Sequence, residues 1–156
     1  MCLINLKFEN ESHDKYSQLS YTRTKNNIVK SKEGVKLFFD VMKVEKDDSN
    51  TKPDHFLILN ADSGFGRYFS IGDSMILTIN NSTKLRLKPS MLGSSGKISR
   101  YTAGDFGKTI YLHSDEYETI KNASSMKFEI KGSSYSNMKE ITGEFSDENL
   151  TNLRKI

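Results

Sequence analysis

The chain has 156 residues, 23 of them basic and 20 acidic, for a formal charge of +3 that by itself demands neither a nucleic-acid nor a membrane partner. A single cysteine excludes an intrachain disulfide and a cysteine-based structural zinc site, while two prolines and ten scattered glycines exclude a Pro-rich linker or a collagen-like repeat. Leu, Ile, Val and Phe number 38, about 24% of the chain and above the ~20% below which chains stay disordered. The length fits a single domain over residues 1–156, with residues 1–30 as a peripheral N-terminal segment.

Taken in chain order, Met1-Cys2-Leu3-Ile4-Asn5-Leu6 is apolar only briefly before Lys7, Glu9 and Glu11, so no secretory signal is expected in the chain as it stands. Cys2 reads as an ordinary terminal thiol, with the lipid-bearing first residue of a bacterial lipoprotein as the alternative. No stretch approaches the roughly 18 apolar residues of a membrane span, so no transmembrane segment is expected. Strands are expected at Leu3–Phe8 and Gln18–Arg23, with a polar turn over Asn10–Asp14 between them. From Val35 to Met42 apolar residues occupy both alternating sets, which describes a strand with two partly apolar faces. Asp47–Pro53 is a polar loop, and Phe56-Leu57-Ile58-Leu59 is an uninterrupted apolar run that suits a strand buried on both sides. Arg67–Ile71 is a further strand after the turn at Asp62–Gly66. Met75–Ile79 and Lys84–Lys88 flank Asn80-Asn81-Ser82, and because asparagine tolerates positive φ this reads as a hairpin. A loop over Ser90–Gly96 and strands at Ile98–Thr102 and Thr109–His113 follow.

Met126, Phe128 and Ile130 alternate with Lys127, Glu129 and Lys131, the cleanest case of one buried and one wet face; Met138–Phe145 completes the strands. Ser114-Asp115-Glu116 and Ser146-Asp147-Glu148 each offer a serine cap and two acids for a helix N-terminus. Two short helices are therefore expected near residues 115–122 and 147–154, with Tyr117 and Ile120 on one apolar face and Leu150 and Leu153 on the other. The two cap triplets lie 32 residues apart, but the apolar pairs fall one position out of step with that spacing. The fold class is mainly β, at the margin of α+β: an antiparallel sandwich or partly open barrel of about 8–10 strands.

Motifs for chemistry are thin. Gly93-Ser94-Ser95-Gly96-Lys97-Ile98 has two residues between its glycines where a phosphate-binding loop needs four, and Ile98 stands where Ser or Thr would reach Mg²⁺. Gly64-Phe65-Gly66 and Gly104-Asp105-Phe106-Gly107 read as turns. His13, His55 and His113 have no metal-site spacing, so no metal and no cofactor is expected. No Gly-x-Ser-x-Gly elbow occurs, and a hydrolase would need a site assembled from distant residues around His55 or His113. Lys84, Arg86 and Lys88 alternate with Leu85 and Leu87 and so project from one strand face; with Lys97, Arg100 and Tyr101 they form a candidate phosphate-binding surface, against the plainer reading of a solvated strand whose lysines discourage aggregation.

Ser70-Ile71-Gly72-Asp73-Ser74-Met75-Ile76-Leu77, then Leu85-Arg86-Leu87, then Ile110-Tyr111-Leu112-His113-Ser114-Asp115-Glu116 and Met126–Gly132, and finally Ile141-Thr142-Gly143-Glu144-Phe145-Ser146-Asp147-Glu148-Asn149 carry a resemblance over residues 35–155. This order resembles small uncharacterised bacterial domains, common in Bacteroidetes and often secreted or lipid-anchored. The resemblance implies a β-rich, sandwich-like fold with two short helices, and no known activity or catalytic residues. The leading expectation is a non-enzymatic binding or accessory module for a protein or cell-envelope partner, with Phe65 and Tyr68 beside Phe69 as a recognition surface. The alternatives are weak nucleic-acid binding through Lys84, Arg86, Lys88 and Arg100, and the non-local hydrolase.

Overall fold

Alternation at period two becomes two separate antiparallel sheets. The computed structural model describes residues 12–14, 18–48, 50–62, 69–91 and 108–155. Within them lie strands β1 (Ser12–Asp14), β2 (Leu19–Arg23), β3 (Ile28–Lys30), β4 (Lys36–Lys46), β5 (Asp54–Asp62), β6 (Ile71–Ile79), β7 (Thr83–Leu87), β8 (Ser90–Met91), β9 (Lys108–Leu112), β10 (Met126–Gly132) and β11 (Glu140–Glu144). Helix α1 (Ser114–Lys121) joins β9 to β10, and α2 (Asp147–Leu153) follows β11. The larger sheet runs β1-β2-β4-β5-β9-β8, with β3 also on β4; the smaller runs β11-β10-β6-β7. Neither closes on itself, which decides for the sandwich over the barrel.

One buried cluster fills the space between the sheets. Leu37, Phe39 and Val41 of β4 and Leu57 and Leu59 of β5 share it with Met75, Leu77 and Ile79 of β6 and Met126, Phe128 and Ile130 of β10. The Phe145 ring lies edge-on to Phe39 at 4.8 Å and to Phe128 at 5.9 Å, the favoured arrangement of aromatic quadrupoles. A second cluster of Leu19, Tyr21, Met42 and Ile58 lies on the other face of β4 and β5, so the expected two-sided burial of Phe56–Leu59 is found. The alternation of β10 is found as well, with every apolar residue buried and Lys127, Glu129 and Lys131 exposed.

The helices have two turns each, too short to stand alone, and hold through packing. Tyr117 and Ile120, and Leu150 and Leu153, join the main core as expected. Each such burial stabilises by roughly 1.5–3 kcal/mol. Ser146 caps α2 as read, its Oγ accepting from Asn149 N–H at 3.1 Å while Asn149 Oδ1 accepts from Ser146 N–H at 3.1 Å. At α1 the cap is instead His113, with Ser114 already helical, because Glu116 accepts from the His113 N–H at 3.0 Å. Counted from the true caps the offset becomes 33 residues (146 − 113), and both apolar pairs then fall at the fourth and seventh positions after the cap.

Three further expectations are corrected. Ser12–Asp14 is a strand rather than a turn, since pairing with Leu19–Tyr21 satisfies its backbone whatever its side chains prefer. Ser90–Met91, expected as loop, pairs with β9. Of Arg67–Ile71, Phe69 and Ser70 precede the strand, which opens at Ile71 and runs unbroken to Ile79. The expected strands Leu3–Phe8 and Ile98–Thr102 and the glycine turns at 64–66, 93–96 and 104–107 lie outside the described residues.

Asp40 breaks the apolar run of β4, yet it is 4% exposed. Opposite it the chain leaves the β4 ladder between β2 and β3, and the Asp40 carboxylate fills the gap. Its Oδ1 accepts from Thr24 Oγ1 at 3.1 Å and from Asn27 N–H at 3.2 Å. Buried polar groups persist where they are bonded in this way.

Candidate interaction surface

The hairpin of β6 and β7 is built at Asn80 and Asn81, whose φ values of 52° and 59° are the left-handed conformation that asparagine tolerates. Asn80 also ties the turn to the rest of the molecule. Its Oδ1 accepts from Ser124 N–H at 2.9 Å, Ser124 Oγ at 2.8 Å and Ser125 N–H at 3.1 Å. This fixes β7 as the outer strand of the smaller sheet, with Leu87 buried, Leu85 half-buried, and Lys84, Arg86 and Lys88 exposed. β7 ends at Leu87, so Lys88 stands just beyond the strand.

The outer face of that sheet is graded in charge. Lys84, Thr78, Lys127 and Glu144 form one cross-strand row, and Arg86, Ile76, Glu129 and Thr142 the next. Positive charge therefore concentrates at β7, and acids appear towards β11. The two edges also differ in their backbones. Thr142 of β11 donates its N–H to Glu33 Oε1 at 2.7 Å and accepts from Lys32 N–H at 2.8 Å, so the turn after β3 seals that edge.

Alternation then fixes the other edge. Since Thr142 points away from β10, Ile141 and Gly143 are bonded to it, and Lys127 and Glu129 of β10 turn to Thr78 and Ile76 of β6. Asn80 keeps that parity, donating to Ser125 O at 2.9 Å. Met75 and Leu77 are left for β7, opposite Leu87 and Leu85. Lys84 and Arg86 consequently aim both their N–H and C=O groups out of the sheet, where no described residue meets them.

Of the other candidate residues, Phe69 is 3% exposed and belongs to the main core rather than to a recognition surface, while Phe65, Tyr68 and Arg100, with Lys97 and Tyr101, lie outside the described residues. His55 is 8% exposed beneath α1, its ring stacked on Tyr117 at 3.6 Å, and its Nε2 meets no partner. Burial, with Lys43 and Lys121 nearby, holds its pKa below the ordinary 6.5. His113 caps α1 and touches the Tyr111 ring edge-on at 5.2 Å. Among the described residues neither imidazole is joined to a serine and a carboxylate, and no three His, Cys, Asp or Glu side chains are grouped to hold a metal. Sequence reasoning missed two exposed aromatics, Tyr135 at 82% and Tyr111 at 47%; Tyr111 stands beside Phe56 and donates to Asp54 at 3.2 Å. The alternation of Ile110 and Leu112 around it carried the signal.

No helix among the described residues is long and apolar enough to cross a membrane. No family model, curated protein or solved structure matches this chain.

Proposed function

We propose that this chain is a non-enzymatic binding module that engages an acidic protein partner through the β7 edge of its smaller sheet. The observation that carries this reading is the exposed row of Lys84 and Arg86 on the edge strand with Lys88 just past its end, none with a counter-ion among the described residues. A positive strip of this kind steers an anionic partner and fixes its orientation more than it adds raw affinity. A nucleic acid is the weaker candidate for the same strip. Glu129 and Glu144 share the outer face and repel a phosphate backbone laid across it, and no exposed aromatic of β6, β7, β10 or β11 offers a base a stacking platform. That the partner lies at the cell envelope is part of the same proposal and rests on the expected resemblance to bacterial domains that are often secreted or lipid-anchored.

Retention on immobilised polyglutamate, measured against ionic strength, tests the proposal. Wild-type protein is expected to bind at low salt and elute as salt screens the contact, and the combined Lys84→Glu, Arg86→Glu and Lys88→Glu variant to flow through. Equal retention of that variant sinks the reading. Tighter binding to a single-stranded oligonucleotide at matched salt transfers it to nucleic acid.

A further inference from the structure

Resting on that reading, we infer that the partner docks as an added strand: an extended segment, acidic at every second residue, pairs with β7 as a fifth strand of the smaller sheet. The outward N–H and C=O groups of Lys84 and Arg86 supply the main-chain ladder. An added strand brings its i, i+2 and i+4 side chains onto the face that carries Lys84, Arg86 and Lys88, where acids match them. Its intervening side chains fall on the opposite face, beside half-buried Leu85, where apolar residues fit.

A second copy of this chain is the wrong occupant on two counts. Pairing β7 with β7 sets the row of Lys84 and Arg86 against itself, and like charges opposite one another across a ladder repel. Pairing β7 with the acidic β11 of another copy is blocked because Thr142 already spends its outward groups on Lys32 and Glu33. The same cations that discourage self-association thus select a foreign, acidic strand.

The probe is a synthetic peptide alternating glutamate and valine. Lys84→Pro deletes an outward N–H and is compatible with an edge strand, and Lys84→Gln is its reference, losing the charge but keeping the N–H. Strand addition predicts that Lys84→Pro binds about ten-fold more weakly than Lys84→Gln. In wild-type protein it also predicts that saturating peptide slows hydrogen exchange at the Lys84 and Arg86 amides by about ten-fold or more, a readout that needs no variant to fold. Bound peptide with unchanged exchange at both amides, or equal binding by the two variants, overturns strand addition. If the charge-reversed variant still loses polyglutamate in that case, the acidic-partner reading survives alone; if it does not, both fall. Absence of saturable peptide binding at low salt also overturns the inference.

Discussion

Asn149 donates from Nδ2 to Asn27 Oδ1 at 2.9 Å across 122 positions of sequence, and the same side chain closes the cap of α2. Its Nδ2 also reaches Ile28 O at 2.9 Å, while Asn27 Nδ2 returns to Asn149 O at 3.2 Å and to Phe39 O at 3.0 Å. One pair of amides thus fastens the last helix to the break between β2 and β3.

Replacing Asn149 with alanine removes the cap contact and leaves the buried Asn27 amide and the part-buried Ile28 carbonyl each short of a partner. The expected loss is about 2–4 kcal/mol, read as a lower denaturation midpoint at constant slope. Asn149→Asp has the same shape but sets a carboxylate oxygen against Asn27 Oδ1, so it is expected to rescue little. Wild-type stability in Asn149→Asp contradicts this account of the pair.

Arg154 donates from Nε to Lys121 O at 3.0 Å and from Nη2 to Ala123 O, joining the end of α2 to the end of α1. Its charge also suits a helix C-terminus. Arg154→Ala is expected to cost about 1–3 kcal/mol and Arg154→Lys somewhat less, since lysine keeps the charge and loses the two-pronged geometry. Thermal unfolding of the two variants measures the difference.

Gly143 leaves no room for a side chain. A Cβ there would stand 2.6 Å from Cε1 and Cζ of Phe128, a ring 1% exposed and held against Phe145. Gly143→Ala is expected to destabilise by about 1–3 kcal/mol through overpacking. Pairing it with Phe128→Leu makes space and should recover part of the loss in a double-mutant cycle.

His55 sets a pH dependence whose sign follows from its environment. Lys43 on β4 and Lys121 on α1 oppose its charging, while Asp54 beside it and Glu118 on α1 favour it; burial dominates, and the folded pKa falls below 6.5. Below 6.5 the unfolded chain therefore binds the proton more readily. This contribution to stability is complete above 6.5 and is lost as pH falls towards the folded pKa. Titrating the imidazole by NMR should show the lowered value, and His55→Phe should flatten the acid limb of the stability profile.

Asn80 controls how β7 is presented. Asn80→Gly keeps the left-handed φ and loses three accepted bonds, whereas Asn80→Ala loses the bonds and strains the backbone. The alanine variant is expected to be the less stable of the two, by about 1 kcal/mol, in chemical denaturation.

Much of this fold is written locally. Strict alternation in β10, the double apolar pattern of β5, the asparagines of the hairpin and the apolar pairs of both helices are near-neighbour signals, and each appears where its residues predict. What stayed hidden depends on distance. β3 has three residues, too few for a period, and exists because β4 offers it a ladder. Asp40 is tolerated inside a strand only because Thr24 and Asn27 arrive opposite it. Of the candidate surface, the common face of Lys84, Arg86 and Lys88 was legible from spacing alone. That β7 is an edge among the described strands, and that β11 is sealed while no described residue covers β7, follows from strand order and from Glu33, 109 positions away from Thr142.

The amide clasp between Asn27 and Asn149 also has a consequence in time. A ribosome adding about 5–20 residues per second leaves Asn27 waiting roughly 6–24 s for its mate. Through that interval the nascent chain carries uncapped amides beside half-built sheets, a window in which chaperones and proteases compete for it and which closes only as the last helix emerges.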